Sequence, residues 1–213
     1  KNININYTIN PKGTEPETKD GKYVIYNAGN LKYLSELNRK RFGIECTDKN
    51  IVFGNNISVD DHLPLGRNAY PWRTSIDGAK YTVTINSVDS SSLSMSLLGG
   101  VINSGASELI IKDIRLKYNS SITINKSSGL LLDSGTSIII SGIKILSNGG
   151  QLNINPSYGF DTFGTIAQNL YNSKVSELEN YQDITINNVQ KVGGLLGYMR
   201  NTLFDNCINE SNI

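Results

Sequence analysis

The chain has 213 residues, 38% of them hydrophobic, and its 20 basic and 19 acidic residues leave a net charge of +1. This balance excludes both nucleic-acid binding driven by bulk positive charge and the composition of a disordered polyelectrolyte, and the length suffices for one substantial core. About one residue in eight is Asn, and Ser, Thr and Ile are also abundant.

Residues 1–20 are predicted to be a lead-in to the main domain. Ile and Asn alternate in KNININYTIN with period two, which is typical of a strand with one apolar face. The following PKGTEPETKDG has the composition of a solvated turn or linker. The chain opens with Lys1 and carries no signal peptide, so we expect an excised piece of a larger precursor.

A short strand over 22–26 and one convincing helix over about 30–42 come next. Asn30 is the predicted N-terminal cap, because its side-chain oxygen can accept from the free N–H groups of the first turn. Leu31, Leu34 and Leu37 recur at a spacing of three and form one apolar stripe. The basic residues 39–41 suit a solvated helix C-terminus better than a binding patch.

After Gly43 the sequence consists of short β-rich runs separated by Gly, Ser, Asn and Asp. Strands are predicted at 51–53, 81–85, 92–98, 108–118, 121–124, 137–146, 151–154, 183–186 and 202–208. A second helix is predicted over 168–179. The densest apolar run, 137–146, falls short of the about 18 apolar residues that span a bilayer, so no membrane insertion is expected.

Four similar segments recur at intervals of roughly 33 residues, and each is followed by a second β-rich run. They are SLLGGV at 96–101, GLLLDS at 129–134, DTFGTI at 161–166 and GGLLGY at 193–198. An apolar step, a turn and another apolar step describe one coil of a solenoid, whose core forms only when coils stack. We therefore predict an all-β parallel β-helix over 21–213, with coils from about residue 50.

The solenoid prediction has a specific structural consequence. Leu98, Leu131 and Leu196 should stack inside the core in neighbouring coils, while Asn, Ser and Asp occupy the corners.

The last 22 residues, VGGLLGYMRNTLFDNCINESNI at 192–213, resemble the GLUG repeat of bacterial surface proteins. The core of that motif matches Gly193, Gly194, Leu195 and Gly197. The two adjacent glycines suit tight backbone turns with positive φ.

A second stretch, about 25–85, resembles the opening of the surface proteins in which GLUG repeats occur. Its matching pieces are NAGNLKYLSEL at 27–37, NISV at 56–59, PLG at 64–66, Trp72, and SIDGAKYTVTI at 75–85 with the turn residues Asp77 and Gly78. Asn56 and Ser58 stand where those proteins often carry acidic residues.

The resemblance implies a right-handed parallel β-helix, a pectin-lyase-like solenoid, with the N-terminal helix as its cap. Relatives of this kind are bacterial cell-surface adhesins and the non-catalytic regions of IgA-cleaving metallopeptidases. An extracellular or cell-surface location is therefore expected.

Metal and nucleophilic chemistry find little support in the sequence. The chain has one histidine, His62, and lacks the H-E-x-x-H helix that zinc peptidases need, which excludes that activity in these residues. Asp60, Asp61 and His62 are weak candidates for a metal or catalytic site, but a polar loop is favoured. No cofactor is expected.

Glycan cleavage is the enzymatic alternative, because hydrolysis needs carboxylates roughly 5–10 Å apart on one face. Asp113, Asp133 and Asp161 lie in successive predicted coils and are the candidate carboxylates. Their positions within the repeat differ, so corner or turn roles are favoured for all three.

Aromatic residues around Pro71 are candidates for carbohydrate stacking. Tyr70, Trp72 and Tyr81 lie close together in sequence, and aromatic rings stack on sugar faces. Such rings also fill caps and sheet ends, and this structural role is favoured.

Cys46 and Cys207 lie far apart without metal-ligand spacing. Two thiols and one long-range disulfide both remain open, with the thiols favoured.

The resulting hypothesis is a non-catalytic β-helical stalk or adhesive module that binds a host or bacterial surface glycan or protein. The alternative is a polysaccharide-active enzyme on the same fold. Because the last coil lacks an evident cap, end-to-end self-association through it is also expected.

Overall fold

The computed structural model describes residues 12–40, 49–67, 69–90, 92, 94–119, 123–124, 128–154 and 160–213. The predicted strand at 1–10 and Cys46 lie outside the described residues. The elements are the helix α1 (Ala28–Lys40) and the strands β1 (Glu17–Lys19), β2 (Lys22–Ile25), β3 (Ile51–Phe53), β4 (Ile57–Val59), β5 (Ile76–Asp77), β6 (Thr82–Ile85), β7 (Gly99–Ile102), β8 (Leu109–Lys112), β9 (Arg115–Tyr118), β10 (Thr123–Ile124), β11 (Leu132–Thr136), β12 (Ile138–Leu146), β13 (Leu152–Ile154), β14 (Phe160–Gly164), β15 (Ala167–Tyr171), β16 (Lys174–Asn180), β17 (Ile184–Ile186), β18 (Val189–Gly193), β19 (Leu196–Arg200), β20 (Leu203–Asp205) and β21 (Ile208–Asn209).

Parallel strands stack into a β-solenoid of about five turns, which confirms the predicted fold class. One long sheet runs the length of the molecule in two rows of stacked strands. The first row is β2, β3, β5, β8, β12, β16 and β20, and the second is β4, β6 and β9 followed by the ends of β12 and β16 and then β21. A second sheet contains β7, β11, β15 and β19, and two smaller sheets pair β10, β13 and β17, and β14 with β18.

A bend between the two rows of the long sheet recurs in successive coils. At the bend, one residue of each coil has a left-handed backbone conformation: Asp113, Gly142, Glu177 and Asn206 have φ between 47° and 64°. The left-handed residue turns the chain without ending the strand pairing on either side. A bend of this kind therefore stacks directly on the same bend of the next coil.

A second corner joins the sheet of β11, β15 and β19 to the long sheet. Ser137, Asn172 and Asn201 hold it with φ between 49° and 56°. Asn201 donates from Nδ2 to Oδ1 of Asn172 in the preceding coil at 3.2 Å. Asn tolerates this conformation better than most residues, which accounts for part of the Asn excess in the sequence.

The core is a column of aliphatic side chains that continues from coil to coil. Leu98 and Leu131 are fully buried, and the backbone N–H of Leu98 donates to the carbonyl of Leu131 in the next coil, as predicted for neighbouring coils. The prediction for Leu196 was wrong, because a coil containing Ala167 lies between Leu131 and Leu196. Leu196 belongs to the last coil and is half-buried.

The helix α1 packs on the core at the N-terminal end through its buried residues Leu31 and Leu34. The cap is Asn27, whose Oδ1 accepts from the N–H of Asn30 at 3.1 Å, so the prediction of Asn30 as cap was wrong. Asn30 lies inside the helix and is buried, and its Nδ2 donates to the carbonyl of Thr14 at 3.0 Å. It ties the preceding chain to the helix.

Two further predictions of secondary structure were wrong. The predicted helix at 168–179 is the strand β15, a left-handed residue at Asn172, and the strand β16. The described part of 92–98 contains no strand, since β7 begins only at Gly99.

The described part of the expected lead-in belongs to the fold. Strand β1 pairs antiparallel with β2, and the N–H of Thr14 donates to the carbonyl of Gly29 at 3.0 Å. Within the described ranges, no helix combines the length and the apolar character needed to cross a membrane.

Candidate functional site

A groove of about 410 Å³ runs across the coils along the bend of the long sheet. Its lining contains three cations, three carboxylates, one glycine, one amide and one aliphatic side chain: Lys80, Arg115, Lys144, Asp113, Glu177, Glu179, Gly142, Asn206 and Ile208. These residues come from five successive coils, so the solenoid brings together side chains that are far apart in sequence.

One wall of the groove is a column of outward-facing strand residues. Lys144 is in register with Arg115 in the coil before it and with Glu179 in the coil after it. Glu179 is in register with Ile208 in the last coil. Since neighbouring strands lie about 4.8 Å apart, the column offers a functional group at that interval along the solenoid.

The bend residues form the second column, with Asp113, Gly142 and Glu177 in successive coils. A Cβ atom at Gly142 would lie 3.0 Å from Oδ1 of Asp113, so the Asp113 carboxylate occupies the space that the missing side chain leaves. The glycine therefore brings this carboxylate toward the coil of Glu177. Two strand spacings, about 10 Å, separate the backbones of Asp113 and Glu177.

Two residues of the groove lining, Lys144 and Glu179, form an ion pair. Nζ of Lys144 donates to Oε2 of Glu179 at 2.7 Å, and the hydroxyl of Tyr181 donates to the same oxygen at 2.7 Å. The hydrogen bond from Lys144, and then that from Tyr181, lower the pKa of Glu179. Glu179 is consequently a carboxylate at neutral pH, which suits the acceptance of hydrogen bonds and not the donation of a proton.

A second ion pair lies beside the groove and reaches the predicted turn residue Asp77. Nζ of Lys112 is 2.9 Å from Oδ2 of Asp77 and 3.5 Å from Oδ2 of Asp113. Partial burial alone would raise the pKa of Asp77, but the hydrogen bond from Lys112 and the N–H of Ala79 outweigh it and lower the pKa. Asp77 thus holds the turn before β6, and Gly78 leaves room for the backbone of Asp113 and Ile114.

Asp133 lies away from the groove in β11, with its carboxylate among serine hydroxyls. Oδ1 of Asp133 accepts from the hydroxyls of Ser94 at 2.6 Å and Ser96 at 2.9 Å. Burial raises the pKa of this carboxyl, and the hydrogen bonds from the serines oppose that effect. Asp133 therefore fixes the loop before β7, while the backbone of Asp161 lies in β14 and its side chain lies outside the described part.

The three aromatic candidates do not form one surface. Trp72 is 1% exposed and packs in the core, which leaves no ring face for a sugar. Tyr81 is half-buried and packs against the same core. The ring of Tyr70 lies under the guanidinium of Arg67, with 5.1 Å between the guanidinium carbon and the ring centroid.

The segment Asp60, Asp61 and His62 forms a turn beside the core. His62 is buried, and its Nε2 lies 3.1 Å from the carbonyl of Ser96, to which it donates. Oδ1 of Asp60 accepts from Asn86, and Oδ1 of Asp61 accepts from Ser87. Among the described residues no three His, Cys, Asp or Glu side chains are arranged to hold a metal ion.

The residues that carry the predicted resemblance to the GLUG repeat lie in the last coil. Neither Gly193 nor Gly194 has a positive φ, so that expectation was wrong. Gly193 ends β18, and a Cβ atom there would clash with the carbonyl oxygen of Leu196. A Cβ atom at Gly197 would lie 2.8 Å from the backbone of Phe163 in the preceding coil. Gly194 and Leu195 form the turn between these glycines, so the motif keeps two coils in close backbone contact.

Cys207 carries a free thiol in the last coil. Its Sγ donates to the carbonyl of Asp205 at 3.0 Å, and burial raises the pKa of the thiol. A thiol with a raised pKa is a weak nucleophile at neutral pH.

Among the predicted site residues whose side chains the structure describes, only Asp113 lines the groove, and Arg115, Lys144, Glu177 and Glu179 were not predicted. A usable signal was present in the spacing of apolar residues, which changes from two to three at each bend. The charged residues at or next to each change of spacing are the ones that the bends of successive coils bring together in the groove. Comparison of the chain with family models, with curated proteins and with solved structures gives no match.

Proposed function

We propose that this β-solenoid is a non-catalytic binding module of a bacterial cell-surface protein and that the groove along the bend binds a glycan. The observation that carries the proposal is the groove itself, in which charged groups from successive coils stand at a regular interval across an open surface. An extended ligand with repeating hydroxyl groups matches such a row of donors and acceptors.

The charges of the groove favour a neutral or zwitterionic glycan over a polyanion. Three carboxylates, Asp113, Glu177 and Glu179, line it together with three cations. A polyanion would meet repulsion from the carboxylates, whereas sugar hydroxyls can donate to carboxylates and accept from Lys and Arg. The ion pair of Lys144 with Glu179 holds one donor and one acceptor in place before a ligand arrives.

The rest of the molecule suits a role in presentation. The core is continuous across the coils, and α1 covers its N-terminal end. A stacked solenoid of this kind offers an elongated surface for contact. The resemblance of 192–213 to the GLUG repeat supports an origin in a cell-surface protein and an extracellular location.

A glycan array probed with the labelled chain tests the proposal. Binding to a defined set of neutral or zwitterionic glycans should fall at least about tenfold in the variants Arg115→Ala and Lys144→Ala, which remove groove donors. The control is Lys117→Ala, two residues beyond Arg115 in the same strand and outside the groove lining. Binding that ignores the groove variants, or that the control also abolishes, would refute the groove as the site.

A polysaccharide-active enzyme is the second candidate, because the groove collects three carboxylates within a few coils. Hydrolysis requires one carboxylic acid with a raised pKa to protonate the leaving oxygen. The pKa of Glu179 is shifted in the opposite direction, and the carboxyl with a raised pKa, Asp133, does not line the groove. This arrangement favours binding over cleavage.

A reducing-end release assay on the glycans that bind separates the two candidates. The binding proposal expects no release above a blank. Release that disappears in Asp113→Asn or Glu177→Gln would replace binding with catalysis as the function of the groove.

A further inference from the structure

A second pocket lies at the corner where the sheet that contains β7 meets the long sheet. Its volume is about 470 Å³, and none of its lining residues also lines the groove. Arg73 and Glu108 are its charged residues, and six other lining residues carry a hydroxyl or a side-chain amide. The pocket is therefore a polar site with one charge of each sign.

A longer loop in one coil supplies a wall of this pocket. Val101 and Ile111 are in register with Gly135 and Ile140 of the next coil. Ten positions separate the first two residues along the chain, and five separate the second two. The five extra positions belong to the loop 103–108, in which every residue after the first is exposed. The next corner does not have such a wall, because a single residue connects β11 to β12 there.

The two charged residues of the pocket come from neighbouring coils. Arg73 and Glu108 each lie three residues before one member of the in-register pair Ile76 and Ile111. Nη1 of Arg73 donates to the hydroxyl of Ser104, which holds the guanidinium beside the loop. A guanidinium has further N–H donors in the same plane, and these remain available to a ligand.

Two more polar groups of the lining are not used by the chain itself. Within the described ranges the carboxylate of Glu108 forms no hydrogen bond and no ion pair. The hydroxyl of Thr74 is buried and also lacks a hydrogen-bond partner there. Because buried polar groups are nearly always hydrogen-bonded, this hydroxyl indicates a place for a polar atom from outside the chain.

Charge and size limit the class of ligand. An anion alone would meet the carboxylate of Glu108, and a cation alone would meet the guanidinium of Arg73. A molecule with both charges satisfies both residues, since guanidinium groups bind carboxylates through paired hydrogen bonds and carboxylates accept from ammonium groups. The volume of about 470 Å³ lies within the usual range for pockets that bind small molecules.

We propose that this corner pocket binds a small zwitterion with a free ammonium group and a free carboxylate, such as a short peptide or an amino acid. Arg73 binds the carboxylate, and Glu108 accepts from the ammonium group. The hydroxyls and amides of the lining suit the peptide bond of a short peptide. This site is separate from the groove, so the proposal does not depend on glycan binding.

Isothermal titration calorimetry of the 213-residue chain with alanyl-alanine, and separately with alanine, tests the proposal. The expected dissociation constant of the tighter probe is about 0.1–1 mM, as for a small ligand held by a few polar contacts. The comparison of the two probes distinguishes a peptide from a free amino acid. Alanyl-alanine with an acetylated N-terminus and alanyl-alanine with an amidated C-terminus should each bind at least about tenfold more weakly, because each lacks one charge.

Two variants assign the ends of the ligand to the two residues. Glu108→Gln should weaken the binding of alanyl-alanine at least about tenfold and remove the discrimination against the acetylated form. Arg73→Gln should have the same effect for the amidated form. Both residues are exposed, so the far-UV circular dichroism of the variants should remain that of the original chain.

The matched control is Arg200→Gln, which removes the charge of another exposed arginine that lines neither the pocket nor the groove. It should leave the binding of alanyl-alanine unchanged. No heat of binding from either probe up to about 10 mM, equal binding of the two blocked peptides and the free one, or binding that both pocket variants retain would each overturn the proposal. A loss of binding in the control as large as in the pocket variants would do the same.

Discussion

A single left-handed residue at each bend sets the spacing of the core side chains. In a regular strand, inward residues recur every two positions. Across the bend they recur every three, as in the pairs Ile111 and Ile114, Ile140 and Ile143, and Val175 and Leu178, all buried. The residue between the strands, such as Asp113, takes up the extra position with a positive φ.

The conformation of Asp113 gives the first prediction. Asp113→Asn should change the free energy of unfolding by less than about 0.5 kcal/mol, because Asn tolerates a positive φ. Asp113→Val should lower it by about 1–3 kcal/mol, since a β-branched residue is strained there. Urea denaturation measures both values.

The control for this pair is Lys117→Val, an outward strand position in β9 where Val is favoured. If Asp113→Val proves as mild as the control, the bend does not depend on a left-handed residue.

Asp133 gives the second prediction, on pH. Burial raises the pKa of this carboxyl above its ordinary value near 3.8, so the folded chain binds the proton more tightly than the unfolded chain. The contribution of Asp133 to stability is therefore largest below the pKa that its carboxyl has in the unfolded chain. It is lost as the pH rises through the higher pKa that the carboxyl has in the folded chain.

The Asp133→Asn variant removes this titration and keeps the shape of the side chain. The fall in the free energy of unfolding between about pH 4 and pH 7 should be smaller in the variant than in the original chain. Urea titrations at several pH values measure the slope. An unchanged slope would show that the serine hydroxyls compensate fully for the burial of the charge.

At the scale of elements, α1 is attached to the solenoid by polar contacts as well as by its apolar stripe. Nδ2 of Asn38 donates to the carbonyls of Leu65 at 2.6 Å and of Tyr70 at 3.1 Å. The hydroxyl of Ser35 donates to the carbonyl of Leu63 at 2.8 Å. These contacts secure an irregular part of the chain that has no strand of its own.

Asn38→Leu gives the third prediction. The variant should lower the free energy of unfolding by about 1–3 kcal/mol, because the buried carbonyl of Leu65 loses the amide that donates to it. Thermal or urea unfolding followed by circular dichroism measures the change. Lys32→Ala, an exposed change on the same helix, should cost less than about 0.5 kcal/mol. Equal effects of the two variants would mean that the polar contacts of Asn38 add nothing.

The elements were predictable where their apolar pattern was local. Strand β3 was placed exactly at its residues, and β6, β13 and β17 within one residue. The helix predicted at 168–179 failed because Leu170, Val175 and Leu178 resemble a helical stripe once bends at Asn172 and Glu177 interrupt the period of two. A prediction that assumes one period for a whole segment cannot detect such a bend, because the spacing of apolar residues changes there.

At the scale of the whole molecule, each coil of the solenoid contacts mainly the coils on either side of it. Stability in such a molecule is close to a sum of terms for coils and their neighbours. The central strands β8 and β12 are paired on both sides, whereas β20 and β21 are paired on one. Opening should therefore begin at the end that helix α1 does not cover.

Hydrogen exchange provides the fourth prediction. Amides of β20 and β21 should exchange first, and those of β8 and β12 last, because local opening follows the number of neighbours. Exchange at one uniform rate in all strands would instead show that the solenoid opens as a single cooperative unit.

The sequence by itself determined the fold class, because stacked coils need a recurrent apolar pattern with turn residues between its parts. That pattern lies in short stretches of the chain and can be recognised without knowing the structure. Only the tertiary structure decided the groove. Arg115, Lys144 and Glu179 are 29 and 35 residues apart in sequence and become neighbours through strand register. Register depends on the length of each coil and on its left-handed corners, and a shift of one residue would turn each side chain to the opposite face.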